Sequence, residues 1–242
     1  ASGIDPQSFV VIDPQARDLP AGVARHDHVQ SAHGPFATIM LGIKPQLFEK
    51  LKADIANAVS SDGLVLSLLA GTRSGTLASA FPGRDIVRVM PNLAAALGKA
   101  PIGIHAESRT RLQPALTALF APLGLPIWID AEEQMDAVTA LAGSGPAFVY
   151  RFIDALAKAG VELGLGADQA SAMALKMVEG AASLAAQSSD SPEALAAKVT
   201  SPGGTTAAGL AVLDAEGALL HLVTETLRAA RDRGVELAGP AD

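Results

Sequence analysis

The stretch Ser201-Pro202-Gly203-Gly204-Thr205-Thr206 sets two glycines and three hydroxyls immediately before an Ala/Leu-rich run. Glycine lets the backbone bend tightly, and the run behind it reads as a helix whose first-turn N–H groups have no partner within the helix. Free amides of that kind bind an anion, and a carboxylate is the simplest one. The hydroxyls of Ser201, Thr205 and Thr206 add donors that can orient the ligand or reach a neighbouring nitrogen. Taken alone, such a stretch reads more readily as an ordinary interhelix turn with a Ser/Thr cap. Gly143-Ser144-Gly145-Pro146 is a second break. Proline is accepted in the first turn of a helix and rejected further in, so a kinked or restarted helix is expected there, its glycines serving close packing.

Three further turns follow apolar runs of strand length: Lys44-Pro45, Ala70-Gly71-Thr72 and Met90-Pro91-Asn92. Ligands of open α/β sheets collect outside the carboxyl ends of the strands, so these three turns are expected to line one crevice, with plain strand-to-helix loops as the other reading. Asp13 closes the run 9–12. On the second strand of a dinucleotide fold its carboxylate would hydrogen-bond the adenosine ribose diol and repel a 2′-phosphate, favouring NADH over NADPH. A turn-forming Asp-Pro is the alternative, and Arg17 close by works against the argument. His26, His28 and His33 match no helical ligand pair and are accompanied by no cysteine or ordered acidic motif, so no metal site is expected. His221 sits in an apolar helical run and reads as a core or interface histidine.

The elements that must hold these residues divide the chain in two. Up to about residue 131, short apolar runs (9–12, 36–41, 64–68, 86–89, 126–129 and, more weakly, 102–105) alternate with helical stretches such as 45–59 and 108–120. That alternation marks βαβ units and a mainly parallel sheet whose buried strands are apolar on both faces. From residue 132 on, helical periodicity takes over, with helices expected over 132–141, 145–163, 168–187, 192–200, 205–213 and 217–237. Several are apolar around most of their circumference, which calls for partners on more than one side: a subunit interface, or an internal core. The expected architecture is an α/β domain over 1–131 and an all-helical domain over 132–242.

Composition narrows the partners. The 242 residues carry a formal charge of −7 with no Lys/Arg cluster, so nothing supplies the electrostatic footprint of a nucleic-acid binder. The absence of cysteine removes disulfides, thiolate nucleophiles and cysteine-ligated metals together and fits a cytoplasmic protein. The longest apolar runs are interrupted by Gly, Pro or charge, so no membrane span of roughly 20 residues is expected, and the opening Ala1-Ser2-Gly3-Ile4-Asp5 lacks a signal peptide's basic and apolar regions.

In order and spacing, Lys44-Pro45-Gln46, Ala70-Gly71, the run from Val87 to Asn92, the run from Met135 to Ala147 and Ser201-Pro202-Gly203-Gly204-Thr205-Thr206 resemble the pyrroline-5-carboxylate reductase family along nearly the whole chain. The resemblance implies a Rossmann domain, a helical domain that interleaves between two subunits of a homodimer or larger ring, and reduction of 1-pyrroline-5-carboxylate to proline by NADPH or NADH. It implies that Lys44, Pro45, Ala70, Gly71, Pro91 and Asn92 face the nicotinamide and its ribose. It further implies that the loop holding Ser201, Gly203, Gly204, Thr205 and Thr206 comes from the partner subunit and binds the substrate carboxylate, with Thr206 beside the imine nitrogen. One departure stands out. The family opens with a strand and a G-x-G-x-x-G type loop that cradles the pyrophosphate, and no such motif lies anywhere in this chain; its first strand matches the family's second. Two rival readings remain: a catalytically silent dimerisation fragment, and a hydroxyacid-dehydrogenase type of reductase whose catalytic lysine would have to be Lys176.

Overall fold

The computed structural model describes residues 5–238, which divide into two compact units. One runs up to Gly143 and takes in the chain from Ala230 on; the other is Ser144–Ala229. The last strand ends at Trp128, so the first unit also holds the opening stretch of the helical half.

In the first unit, β1 (Val10–Ile12) and β2 (Ala24–His26) form a small parallel pair. The main sheet is β3 (Phe36–Leu41), β4 (Val59–Ser67), β5 (Asp85–Met90), β6 (Ala100–His105) and β7 (Gly124–Trp128), in chain order. β3, β4 and β5 are parallel, β6 turns antiparallel to β5, and β7 runs parallel to β6. Between these strands lie α1 (Pro45–Ala58), α2 (Ser74–Ala80) and α3 (Arg109–Phe120). Pro45 opens α1 at the position where proline's missing N–H costs nothing and its fixed φ suits the helix.

Successive residues of a strand face opposite sides of a sheet, and the core follows that rule. Val65 packs with Phe48, Ile55, Leu77 and Phe81, the residues of α1, α2 and the turn after it. Its neighbour Leu66 packs with Val87, Ile102, Ile104, Leu112, Leu116 and Phe120 on the α3 side. The Phe48 and Phe81 rings meet edge-on at 6.0 Å between centroids. Helices cover both faces, as the apolar runs of the sequence demand.

Three features depart from the sequence expectations. β2 falls in the polar stretch read as a loop: its residues Ala24, Arg25 and His26 carry no apolar signal, and pairing with β1 alone makes it a strand. β6 reverses direction, which no local pattern encodes. Finally, β3 has the composition of a central strand, yet among the described residues it pairs only with β4, and Met40 is 50% exposed.

The helical half begins with α4 (Met135–Val138), which continues as a π-helical turn over Thr139–Gly143. Then come α5 (Gly145–Glu162), α6 (Ala167–Gln187), α7 (Pro192–Lys198), α8 (Thr205–Leu213) and α9 (Ala218–Ala238). The Ser191 hydroxyl accepts from the Ala194 N–H at 3.2 Å and so caps α7. The break at 143–146 restarts a helix, with Pro146 in its first turn. By length and composition Thr205–Leu237 passes as long and apolar enough to cross a membrane, contrary to the sequence expectation that no such run exists. Its helix is broken, however, by left-handed backbone at Glu216 and Gly217 (φ 52° and 72°).

Gly124 starts β7 with φ 146°, and a Cβ there would lie 2.0 Å from the Ala100 carbonyl oxygen and 2.5 Å from its nitrogen. The clash is with backbone in the paired strand, so nothing can swing away. Gly124→Ala is expected to cost about 3 kcal/mol or more, lowering the thermal midpoint by roughly 6–12 °C; a shift of a degree or less in a melting experiment counts against this account of the β6–β7 pairing.

Candidate active site

Because β3, β4 and β5 are parallel, their carboxyl ends lie at one edge of the sheet, and the three turns singled out from sequence follow them there. Lys44 caps α1 and is exposed. Ala70 is exposed, while Gly71 is buried in a left-handed turn (φ 72°). Pro91 and Asn92 are half-buried. The structure therefore brings Lys44, Pro45, Ala70, Gly71, Pro91 and Asn92 to one side of one sheet. Asn92 differs from the others in that both ends of its amide are engaged: Oδ1 accepts from the Ala94 N–H and Nδ2 donates to the Ala142 carbonyl, each at 2.9 Å. Its side chain ties the turn after β5 to the π-helical segment.

Asp13 follows β1 directly. One carboxylate oxygen accepts the Gln15 N–H at 2.7 Å in a local turn. Arg25 donates to the carbonyls of Asp13 (3.0 Å) and Pro14 (2.6 Å) and pairs with Asp27, while Arg17 donates to the carbonyls of Ala16 and Pro14. The histidines of this region form no cluster: among the described residues no group of His, Cys, Asp and Glu could hold a metal.

In the second unit, Gly204 caps α8 and its N–H donates to the Ser201 carbonyl at 3.0 Å, closing a tight turn. Gly203 takes φ 69°, a left-handed shape that favours glycine, while a Cβ on Gly204 would come within 2.6 Å of the Ser201 hydroxyl and 3.1 Å of its carbonyl oxygen. The turn leaves the first-turn amides of α8 without intrahelical partners, and Ser201, Gly203, Thr205 and Thr206 are all exposed. The result is a small cradle of donors that suits a carboxylate. At the upstream end the Thr200 hydroxyl donates to the Ala196 carbonyl at 2.7 Å, fixing where the loop leaves α7.

Lys176, the residue required by the hydroxyacid reading, is exposed on α6. Its Nζ donates to Glu179 at 2.7 Å, and that hydrogen bond, then the carboxylate's charge, hold its pKa above the ordinary lysine range, opposite to what a proton-donating catalytic lysine needs.

A buried ionic cluster was not singled out by the sequence. Arg88 on β5 is 3% exposed, and its Nη1 donates to Glu132 Oε1 at 2.9 Å. The same oxygen accepts the Ser74 N–H, at the start of α2, at 2.6 Å. Arg88 pairs in register with Ser67 on β4 and His105 on β6, both buried. Arg88 stands inside the run Val87 to Asn92, which is the only sequence signal there was.

With that geometry in place, the fold can be compared with known proteins. A structure of pyrroline carboxylate reductase from Plasmodium falciparum with NADP bound matches with a TM-score of 0.83, at 24% identity over 98% of this chain and 90% of that one. A pyrroline-5-carboxylate reductase structure from Coxiella burnetii matches at 0.82, with 29% identity over 90% of this chain and 82% of that one. The fold is thus of the Rossmann-type oxidoreductase class with a helical domain appended. A family model described as pyrroline-5-carboxylate reductase dimerisation matches residues 132–237. The pyrroline-5-carboxylate reductase of Pseudomonas aeruginosa is 35% identical over 247 residues, spanning 98% of this chain and 90% of that protein. The chain belongs to the pyrroline-5-carboxylate reductase family.

Burial pushes the Glu132 carboxyl up, but the Ser74 N–H, its neighbouring hydroxyl and the Arg88 guanidinium together outweigh that and hold it below its ordinary value of 4.5. A carboxyl whose folded pKa is depressed contributes stability that is present above the unfolded value and lost as the pH falls through the folded one. The gap in thermal midpoint between wild type and Glu132→Gln is therefore expected to be widest near about pH 6 and to shrink towards about pH 3; a gap independent of pH contradicts this charge assignment.

Proposed function

We propose that this chain reduces 1-pyrroline-5-carboxylate to proline, the closing step of proline biosynthesis, using a reduced nicotinamide dinucleotide. The observation that carries the reading is the relationship to the Pseudomonas aeruginosa reductase over nine-tenths of that protein's length. The donor cradle at the start of α8 supplies the chemistry its substrate requires. The silent-fragment reading is disfavoured because the strand-end turns and the cradle are both intact in one chain.

The strand-end turns fit the nicotinamide end of the cofactor: small residues, one left-handed glycine and a fixed amide lie at the carboxyl edge of three parallel strands. When bound, the reduced nicotinamide supplies hydride to the imine carbon. The chain's own contribution is positioning. The amides at the start of α8 hold the substrate carboxylate, with Ser201, Gly203, Gly204 and Thr205 shaping the loop. The Thr206 hydroxyl hydrogen-bonds the imine nitrogen and passes it a proton from water as the carbon gains hydride, so C=N becomes CH–NH without a strong base.

The exposed apolar faces of the helical unit, and its match to a dimerisation region, support a homodimer or larger assembly built through these helices. No basic surface cluster supports nucleic acid as a partner, and the action of a proline-forming reductase suits the cytoplasm. Asp13 supports NADH as the preferred cofactor. Of the two arginines nearby, Arg25 is already paired with Asp27 and hydrogen-bonded to the carbonyls of Asp13 and Pro14.

Thr206→Ala is expected to lower kcat about a hundredfold while leaving the thermal midpoint within about 2 °C of wild type. Unchanged turnover removes Thr206 from the chemistry. In steady-state assays the KM for NADH is expected to lie below that for NADPH, and Asp13→Ala to narrow the difference; a lower KM for NADPH in the wild-type protein overturns the assignment.

A further inference from the structure

We infer that Glu132 is a positioning residue for the cofactor site: a single carboxylate oxygen fastens the start of α2 and strand β5 together, and so fixes the two turns that must meet the nicotinamide. The inference rests on the functional reading above and adds a residue to it. Ser74, bonded through its N–H at 2.6 Å, lies just past the left-handed turn at Gly71. Arg88, bonded at 2.9 Å, is on the strand that ends at Met90 and feeds Pro91 and Asn92. Between the two contacts the carboxylate reaches residues 58 and 44 positions away in sequence.

The energetics favour a role in geometry over one in stability. Arg88 is buried, and its second terminal nitrogen, Nη2, has no hydrogen-bond partner; neither does Arg73 Nε. A buried charge pair with unsatisfied donors stabilises a fold poorly against an apolar replacement of equal volume, so the fold alone does not call for it. The pair does restrict direction. Two short bonds converging on one oxygen leave α2 and β5 little freedom to slide against each other. The Asn92 amide pins the same turn a second time, to Ala142, ten residues past Glu132 in the same connecting segment. Residues 132–143 thus act as a bracket: Glu132 holds both turns at one end and Ala142 holds the second turn at the other. A displacement of about 1 Å at a site that aligns reacting atoms can cost as much as a hundredfold in rate, a scale on which this bracket matters.

The test uses the full chain in its native assembly. Glu132→Gln keeps the shape and can still accept from Ser74, but it turns a neutral group towards Arg88. The expected result is a KM for the reduced nicotinamide cofactor raised about tenfold, with the KM for the imine unchanged at saturating cofactor. Amide hydrogen exchange should be faster in the turns at 70–72 and 91–92 and unaltered at 201–206. If Glu132→Gln fails to fold, Arg88→Met with Glu132→Gln removes the stranded charge, and the same pattern is expected of it. Unchanged exchange in both turns overturns the inference, as does faster exchange with an unchanged cofactor KM, or an equal rise in both KM values. Should the wild type reduce no imine at all, the functional reading falls, and the exchange measurement alone then decides whether Glu132 fixes the turns.

Discussion

The parallel register of β3, β4 and β5 is the constraint on which the rest of this protein depends. Parallel neighbours place their carboxyl ends at the same edge, so every chain reversal that follows them is delivered to the same place. A parallel connection needs a crossover, and α1 and α2 provide two of them, each burying apolar residues against the same face. The antiparallel turn into β6 ends the series after three strands. Had β5 reversed instead, the turn bearing Asn92 would lie at the far edge from Gly71, and no adjustment of side chains could reunite them.

Register sets where the turns lie but not their orientation within an ångström. That finer task falls to polar atoms drawn from distant parts of the chain, and the chain spends buried charge on it. Arg88 sits in a polar row between Ser67 and His105, with Glu132 over it, in a sheet whose other central positions are apolar. Breaking such a buried pair by removing one partner costs roughly 3–5 kcal/mol, whereas replacing both with apolar residues is often neutral. The asymmetry means that these residues stabilise one arrangement relative to near alternatives far more than they stabilise folding relative to unfolding.

What could be read from sequence divides along the same line. The turn before α8 was legible because its chemistry is local: glycines, hydroxyls and a helix start are all contained in six residues, and the structure places Gly203 in left-handed backbone that favours glycine. β3, β4, β5 and β7 were legible as apolar runs, and the restart of the helix after Gly143 as a proline rule. Glu132 was not legible, since its partners are remote in sequence and nothing in its own neighbourhood distinguishes it from Glu133 beside it. The direction of β6 was hidden for a similar reason: strand polarity is set by pairing and by what the connection can span, neither of which leaves a mark on residues 100–105. β2 failed for the opposite reason, with a partner but no apolar signature of its own.

The apolar residues of the helical unit cannot be explained within one copy. In Ser144–Ala229 only Ala170 and Ala174 are fully buried among the hydrophobic residues, although α5 and α6 pack closely enough for a Cβ at Gly160 to lie 3.2 Å from that of Ala170. Phe152, Met173, Leu184, Val212, Leu220 and Leu222 are all exposed. Covering a large apolar side chain is worth roughly 1.5–3 kcal/mol, so leaving half a dozen in water forgoes an amount comparable to the whole stability of a domain. An apolar surface of that extent belongs against another protein surface. α8 and the exposed turn of donors at its start lie on this same unit, so the surface that calls for a partner and that turn belong to one helical body.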